Sequence, residues 1–206
     1  MFITLEGPEG CGKTSQIPAL AEYLRQQGYT VYPTREPGGT SIGDQVREVL
    51  TSMRNTDMTA RTETLLFCAA RAQLVEEVIR PRLARGEIVL SDRFADSTLA
   101  YQGYGHGNDL DVLRGLLHFA TGGLWPELTL LLDLPVEVGL QRKRSGGSEW
   151  NRLDAYEVEF HRRVRLGFKE MACADPARWR MIDATRPREE VQAALRGAIM
   201  QQLQKA

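Results

Sequence analysis

The chain is poor in cysteine, histidine, aromatic side chains and net charge. Its three cysteines, Cys11, Cys68 and Cys173, are far apart and have no C-x-x-C spacing. That argues against a disulfide framework or zinc site and points to reduced thiols in a cytoplasmic protein. The three histidines, His106, His118 and His161, also lack metal-ligand spacing. Net charge is −1, so no global field draws the chain onto nucleic acid or an anionic membrane, and neither is expected as a partner. Any anion site must therefore be local. No apolar run approaches the roughly 20 residues of a membrane span. The opening MFITLEG meets a glutamate too soon to be a signal peptide.

What is present alternates. Short apolar runs at MFITLE, YTVYPTRE, EIVLSDR, LTLLLDL and WRMIDA read as five strands. Between them lie stretches with helical spacing, among them the segment after Lys13, IGDQVREVL, residues 60–85 with a bend at Pro81, DVLRGLLHFATGG and VEVGLQRKR. The stretch RLDAYEVEFHRRVRLGFKEMA is expected to be one helix, and PREEVQAALRGAIMQQLQ another. Strands alternating with helices imply an α/β fold, a parallel sheet covered on both faces. Ligands of such sheets sit at the carboxyl ends of the strands. With no repeat and no linker, residues 1–206 are expected to form a single domain.

Residues 7–14, GPEGCGKT, fit G-x-x-x-x-G-K-[ST] between a strand and a helix, the context that a phosphate loop requires. Gly7, Pro8, Glu9, Gly10, Cys11, Gly12, Lys13 and Thr14 are the expected ATP cradle. The glycines let backbone N–H groups approach phosphate oxygens, and the following helix aims its positive end at them. Lys13 would reach the β- and γ-phosphates and Thr14 would ligate Mg²⁺. Asp92 and Asp133 each end a strand; Asp92, beside Arg93, is the expected metal contact, while Asp133, just before Pro135 and a helix start, is open to a metal contact or a helix cap. Asn-Lys-x-Asp, the base-reading signature of a GTPase, is absent.

Three further segments, TREPGGT (34–40), LLFCAARAQ (65–73) and DRFADSTLAYQG (92–103), join the phosphate loop in an order that closely resembles the thymidylate kinase family. The resemblance runs to IDAT-P at residues 182–187. It implies the P-loop nucleoside monophosphate kinase fold with a five-stranded parallel sheet, ATP-dependent phosphorylation of dTMP to dTDP, Mg²⁺, cytoplasmic action and a homodimer. Phe67 and Arg71, four apart on a helix, share a face, so a ring can stack on a base while a guanidinium donates to its carbonyl. The resemblance assigns the pyrimidine and sugar to Ser97, Thr98, Tyr101 and Gln102, with Thr98 and Gln102 as candidates for the N3–H. Arg93 would lie between the two phosphates, screening their repulsion. Arg47 and Glu36 are expected at the acceptor phosphate, and Arg35 is open to a structural ion pair. Glu9, a carboxylate in a loop for polyanions, is expected to serve the acceptor sugar or the metal's waters. Adenine is expected near residues 184–187.

The loop carries no arginine, and the bacterial family pattern then draws a cation from a lid. LQRKRSGGSEWNRLD fits one at about 141–153, with Arg144 and Arg152 as the expected catalytic cations. The segment departs from the family's RARARG pattern. Phe94 likewise stands where histidine or tyrosine is common. Two rivals remain at this point: a kinase for another acceptor, and a nucleotide-binding module without transfer.

Overall fold

A computed structural model describes residues 1–145 and 151–205. The five strands among them are β1 (Phe2–Glu6), β2 (Val31–Arg35), β3 (Ile88–Asp92), β4 (Leu128–Asp133) and β5 (Trp179–Asp183). They form one sheet in the order β2-β3-β1-β4-β5, with every pairing parallel. All five agree with the apolar runs read from the sequence.

Side-chain alternation along β1 divides the core. Ile3 and Leu5 face α1 (Lys13–Gln26) and α9 (Arg188–Leu203), where they join Leu20, Leu24, Leu195 and Ile199. Phe2 faces the other side, against Leu74, Val75, Ile79, Leu113 and Leu117. That face is covered by α3 (Ala60–Leu74), a π-helical turn at Val75–Ile79, α4 (Arg80–Ala84) and α6 (Leu110–Thr121). Pro81 has no N–H to give, and the helix widens into the π turn just before it, at the bend expected there. A third cluster packs Tyr101, Phe160, Val164, Phe168 and Trp179 beneath α8 (Val158–Ala174).

Caps set several helix starts. Thr40 accepts from Gly43 N ahead of α2 (Ser41–Thr51), and Asp109 accepts from Asp111 N and Val112 N ahead of α6. One expected helix is divided. After α7 (Val136–Ser145), a 3₁₀ turn at Arg152–Ala155 precedes α8, which begins only at Val158. Asn151 and Asp154 close a reciprocal cap on that turn, so the chain changes direction there instead of continuing as one helix. Residues 146–150, the middle of the expected lid, lie outside the described residues.

Candidate active site

β1 and β3 are neighbours, and both end at one cleft. After β1 comes the phosphate loop. After β3 come Asp92, Arg93 and a short helix α5 (Ala95–Thr98), which widens into a π-helical turn at Leu99–Gly105. The cleft encloses about 1100 Å³, above the ~300–1,000 Å³ of a usual small-molecule pocket. Its walls bring together the phosphate loop, Glu36, Arg47, Phe67, Asp92, Arg93, Ser97, Thr98, Tyr101 and Gln102. Segments as distant in sequence as Glu9 and Tyr101, 92 positions apart and expected to cooperate, thus share one space.

Backbone geometry builds the donor half. Gly7, Gly10 and Gly12 have φ of 144°, 69° and 94°. A Cβ on Gly10 would come 1.9 Å from the carbonyl oxygen of Gly139, and one on Gly139 would come 2.1 Å from that of Glu9. Helix α7 therefore sits backbone-to-backbone on the loop. Gly139 is a site residue that the sequence reading missed, since its partner is remote. Lys13 donates to the carbonyls of Gly7 (2.9 Å) and Pro8 (3.1 Å). Its ammonium also lies 3.0 Å from Cys11 Sγ. Thr14 Oγ1 donates to Asp92 Oδ2 at 2.6 Å. A hydroxyl and a carboxylate together at a phosphate loop suit a hard cation that keeps most of its waters. Among the described residues no group of three His, Cys, Asp or Glu could hold a metal. The donor set thus fits Mg²⁺ held partly by phosphates and does not fit an all-protein cage.

At the seam, Arg93 has a positive φ, 71°, although it is not a glycine. Its Nη1 donates to Gly7 O and Ser97 Oγ, both at 3.1 Å, and its Nη2 to Glu9 Oε1 (2.8 Å) and Tyr101 Oη (3.0 Å). Tyr101 donates to the same Glu9 oxygen at 2.7 Å. Burial would raise the Glu9 carboxyl, but Arg93, Lys143 and Lys13 outweigh it and hold the group well below the usual range. Burial and then Glu9 push the Tyr101 phenol well up, against Arg93, so it stays a donor.

Beneath them Glu6 accepts from Phe94 N (2.7 Å) and Ser97 Oγ (2.6 Å). Burial, then Asp96, pushes its carboxyl to about 8. Glu6 was missed as well, because at the end of an apolar strand it looks like a boundary marker. Phe94 is buried edge-on against Phe2 at 4.8 Å, so the departure from histidine or tyrosine serves the core.

The acceptor half is built from buried ion pairs. Arg71, 1% exposed, donates Nε and Nη2 to Glu36 (2.9 and 2.6 Å), Nη2 to Phe94 O (3.1 Å) and Nη1 to Thr98 Oγ1 (3.0 Å). Burial pushes the Glu36 carboxyl up, with Arg71 drawing it back. Glu36 in turn offsets the burial that would lower Arg71. Guanidinium stays charged in proteins, so at 2.6 Å the pair is ionised. This corrects the place expected for Glu36 at a phosphate: its carboxylate is committed to Arg71. Arg71 itself does not line the cleft, whereas Glu36 and Thr98, which it bonds, do. Arg47 donates to Pro37 O at 3.0 Å. Burial lowers its pKa, and the guanidiniums of Arg35 and Arg93 lower it further. Arg35, Arg47 and Arg93 thus bring three guanidiniums to the lining of one cleft. Arg35 itself pairs with Asp44 at 3.0 Å.

Glu63, unnoticed in the sequence, is fully buried and accepts from four donors. These are Gln102 Nε2 (2.7 Å), His106 Nε2 (3.2 Å), Arg152 Nη2 (2.5 Å) and Tyr156 Oη (2.8 Å). Burial would raise the carboxyl, but the four bonds bring it down to about 2. Arg152 also gives Nε to Leu50 O at 2.8 Å and is 4% exposed. This corrects the expectation of a catalytic Arg152. A guanidinium sealed in the core by Glu63, Tyr156 and a carbonyl does not reach phosphate. Arg144 is exposed at the end of α7 and does not line the cleft. Lys143 does, paired with Asp154 and 3.4 Å from Glu9 Oε2, as does Arg142, which donates to Ala184 O at 2.8 Å. Asp133, left open between metal and structure, holds Arg165 at 2.7 and 2.9 Å. His161 is buried and His118 exposed, both outside the cleft.

A phosphate loop on the central strand, facing a second polar pocket across a shared arginine, places the chain in the class of P-loop nucleoside monophosphate kinases. The family model described as thymidylate kinase matches residues 5–195. Thymidylate kinases of Thermomicrobium roseum and Deinococcus radiodurans are 55% and 51% identical, over 94% and 97% of this chain and 91% and 96% of theirs. A crystal structure of thymidylate kinase from Ehrlichia chaffeensis superposes with a TM-score of 0.78 at 34% identity, covering 97% of this chain and 98% of that one. The chain belongs to the thymidylate kinase family.

Proposed function

We propose that the cleft holds ATP on the phosphate loop and dTMP against Phe67, end to end, with Arg93 between their phosphates. Family membership carries the reaction, ATP-dependent phosphorylation of dTMP to dTDP. The observation that best supports this arrangement is that Arg93 bonds Gly7 of the loop on one side and Ser97 and Tyr101 of the acceptor wall on the other.

An acceptor phosphate oxygen attacks the γ-phosphorus in line. The bond from that phosphorus to the β–γ bridging oxygen breaks, and its electron pair leaves with ADP. The attacking oxygen is already anionic, so no general base is needed. Catalysis is positioning plus neutralisation of spread charge. Lys13 and Arg93 supply that neutralisation, and Arg47 holds the acceptor phosphate. Thr14 and Asp92 would hold Mg²⁺, which would supply neutralisation of the charge developing on the transferred group. Lys143 takes the role first expected of Arg144 and Arg152, because it lines the cleft beside Glu9. Arg142, bonded to Ala184 O, flanks the expected adenine position. Phe67 stacks on the base, with Thr98 and Gln102 at its edge and Arg71 behind them, bonded to Thr98. Tyr101 and Glu9 lie at the sugar, where Tyr101 disfavours a 2′-hydroxyl.

Cytoplasmic action belongs to this reading, supported by the unpaired thiols Cys11, Cys68 and Cys173. So does a homodimer, supported by Val112 and Phe119, exposed seven residues apart on α6. Among the described residues no helix is long and apolar enough to cross a membrane.

ADP release with dTMP, dCMP and thymidine as acceptors tests the reaction. The reading expects dTMP to be used best, and faster turnover of thymidine or dCMP would replace it. Light scattering of the wild type and Phe119→Glu tests the dimer.

A further inference from the structure

Gln102 lines the acceptor end of the cleft, yet its side chain is almost wholly enclosed, 1% exposed. Its Nε2 donates to Glu63 Oε1 at 2.7 Å. An ionised carboxylate only accepts, so the NH₂ end of the amide must face Glu63. Oε1 is then the end left for the cleft. It bonds no described side chain or backbone group and is not among the sealed, partnerless atoms of the interior. Glu63 cannot turn away, because its other oxygen is held by Arg152 Nη2 (2.5 Å) and Tyr156 Oη (2.8 Å). Arg152 is anchored in its turn on Leu50 O.

We propose that Glu63 is a positioning residue for base choice: it fixes the Gln102 amide with its carbonyl toward the acceptor, so the site reads an N3–H. This rests on the acceptor-site reading above. Thymine and uracil carry a proton on N3, whereas cytosine presents a lone pair there. A presented carbonyl bonds the first two and repels the third. A presented NH₂ would do the reverse.

The network also predicts what Glu63→Gln does. Arg152 and Tyr156 both donate, so they hold the carbonyl of the new amide on their side. Its NH₂ then faces Gln102 and His106 Nε2, and two NH₂ groups cannot share one hydrogen bond. Gln102 rotates by half a turn and offers its NH₂ to the base. The dTMP:dCMP ratio of kcat/KM is expected to fall about tenfold or more. The dTMP:dUMP ratio is expected to hold, since both bases carry N3–H. Tyr156→Phe, which loosens Glu63 without changing its charge, should leave both ratios unchanged.

The test is kcat/KM on the three nucleotides for wild type, Glu63→Gln and Tyr156→Phe. An unchanged dTMP:dCMP ratio in a folded Glu63→Gln overturns the proposal. So does an equal fall in both ratios, or in Tyr156→Phe, since that reports only a loosened pocket. If Glu63→Gln does not fold, the side-chain NH₂ resonances of wild-type Gln102 decide. Slow exchange and little movement on adding dTMP uphold the proposal; fast exchange and a large shift overturn it. A wild type that does not prefer dTMP to dCMP removes the acceptor reading itself.

Discussion

The two halves of the cleft are built by different means. The donor half is made of backbone: three glycines at positive φ, carbonyls that hold Lys13, and a helix seated on the loop through Gly139. The acceptor half is made of buried charge: Arg71 with Glu36, and Arg152 with Glu63, each pair almost wholly enclosed. A backbone cradle is local and binds any polyphosphate. A wall of buried pairs is assembled from distant segments and can choose among bases. On the function proposed above, chemistry common to many kinases resides in a short contiguous stretch, and selectivity in contacts between α3, the π-helical turn at Leu99–Gly105 and the segment before α8.

The contrast is open to attack, beginning with the largest expected effect. Lys13→Ala should lower kcat by about 10³ or more while leaving the fold intact, because it removes charge at the transferring phosphoryl group. Rapid-quench turnover and a melting curve check both parts. Arg152→Met should do the opposite. It leaves Glu63 charged and buried, which costs about 3–5 kcal/mol of stability in urea unfolding. The kcat of the folded fraction should change little. A large loss of kcat with unchanged stability would return Arg152 to catalysis.

Acid should also separate the regions. The Glu63 carboxyl lies at about 2 when folded against a reference of 4.5. Its stabilisation is complete above the reference value and is lost as pH falls from there through 2. The size is about 3 kcal/mol, from about 1.4 kcal/mol per unit. Glu6 has the opposite sign. Held at about 8 against 4.5, it binds a proton in the folded state that the unfolded chain has released, so its contribution declines as pH rises between those values. Unfolding free energies across pH for Glu63→Gln and Glu6→Gln should lose the acid limb and the alkaline limb, respectively. The smallest effect is expected at the seam. Tyr101→Phe removes a 2.7 Å bond to Glu9 and should cost about 1 kcal/mol, roughly fivefold in kcat/KM for dTMP.

Much of the fold was legible in advance because its signals are local. Five apolar runs became five strands, and the stretches IGDQVREVL and DVLRGLLHFATGG became helices α2 and α6. The single helix expected after the lid failed because helical spacing says nothing of the cap that Asn151 and Asp154 form with each other. The phosphate loop and the strand-end Asp92 were legible for the same reason as the strands, whereas Arg93 and Tyr101 were singled out by the family resemblance of DRFADSTLAYQG. Glu6, Glu63 and Gly139 were not, since a charge at a strand end, a charge on a helix and a glycine in a helix have bland local readings. Arg152 was misread because a cation beside a glycine-rich loop looks solvated until its partner, 89 residues away, is found.

By itself the sequence determined the alternation of strand and helix, the phosphate cradle and the family. These depend on periodicity, on glycine's backbone freedom and on residues adjacent in the chain. Only the tertiary structure decided which charges face the cleft and which are sealed beneath it. Ion pairing is a matter of distance in space, and burial turns the same guanidinium from a ligand's partner into a structural pin.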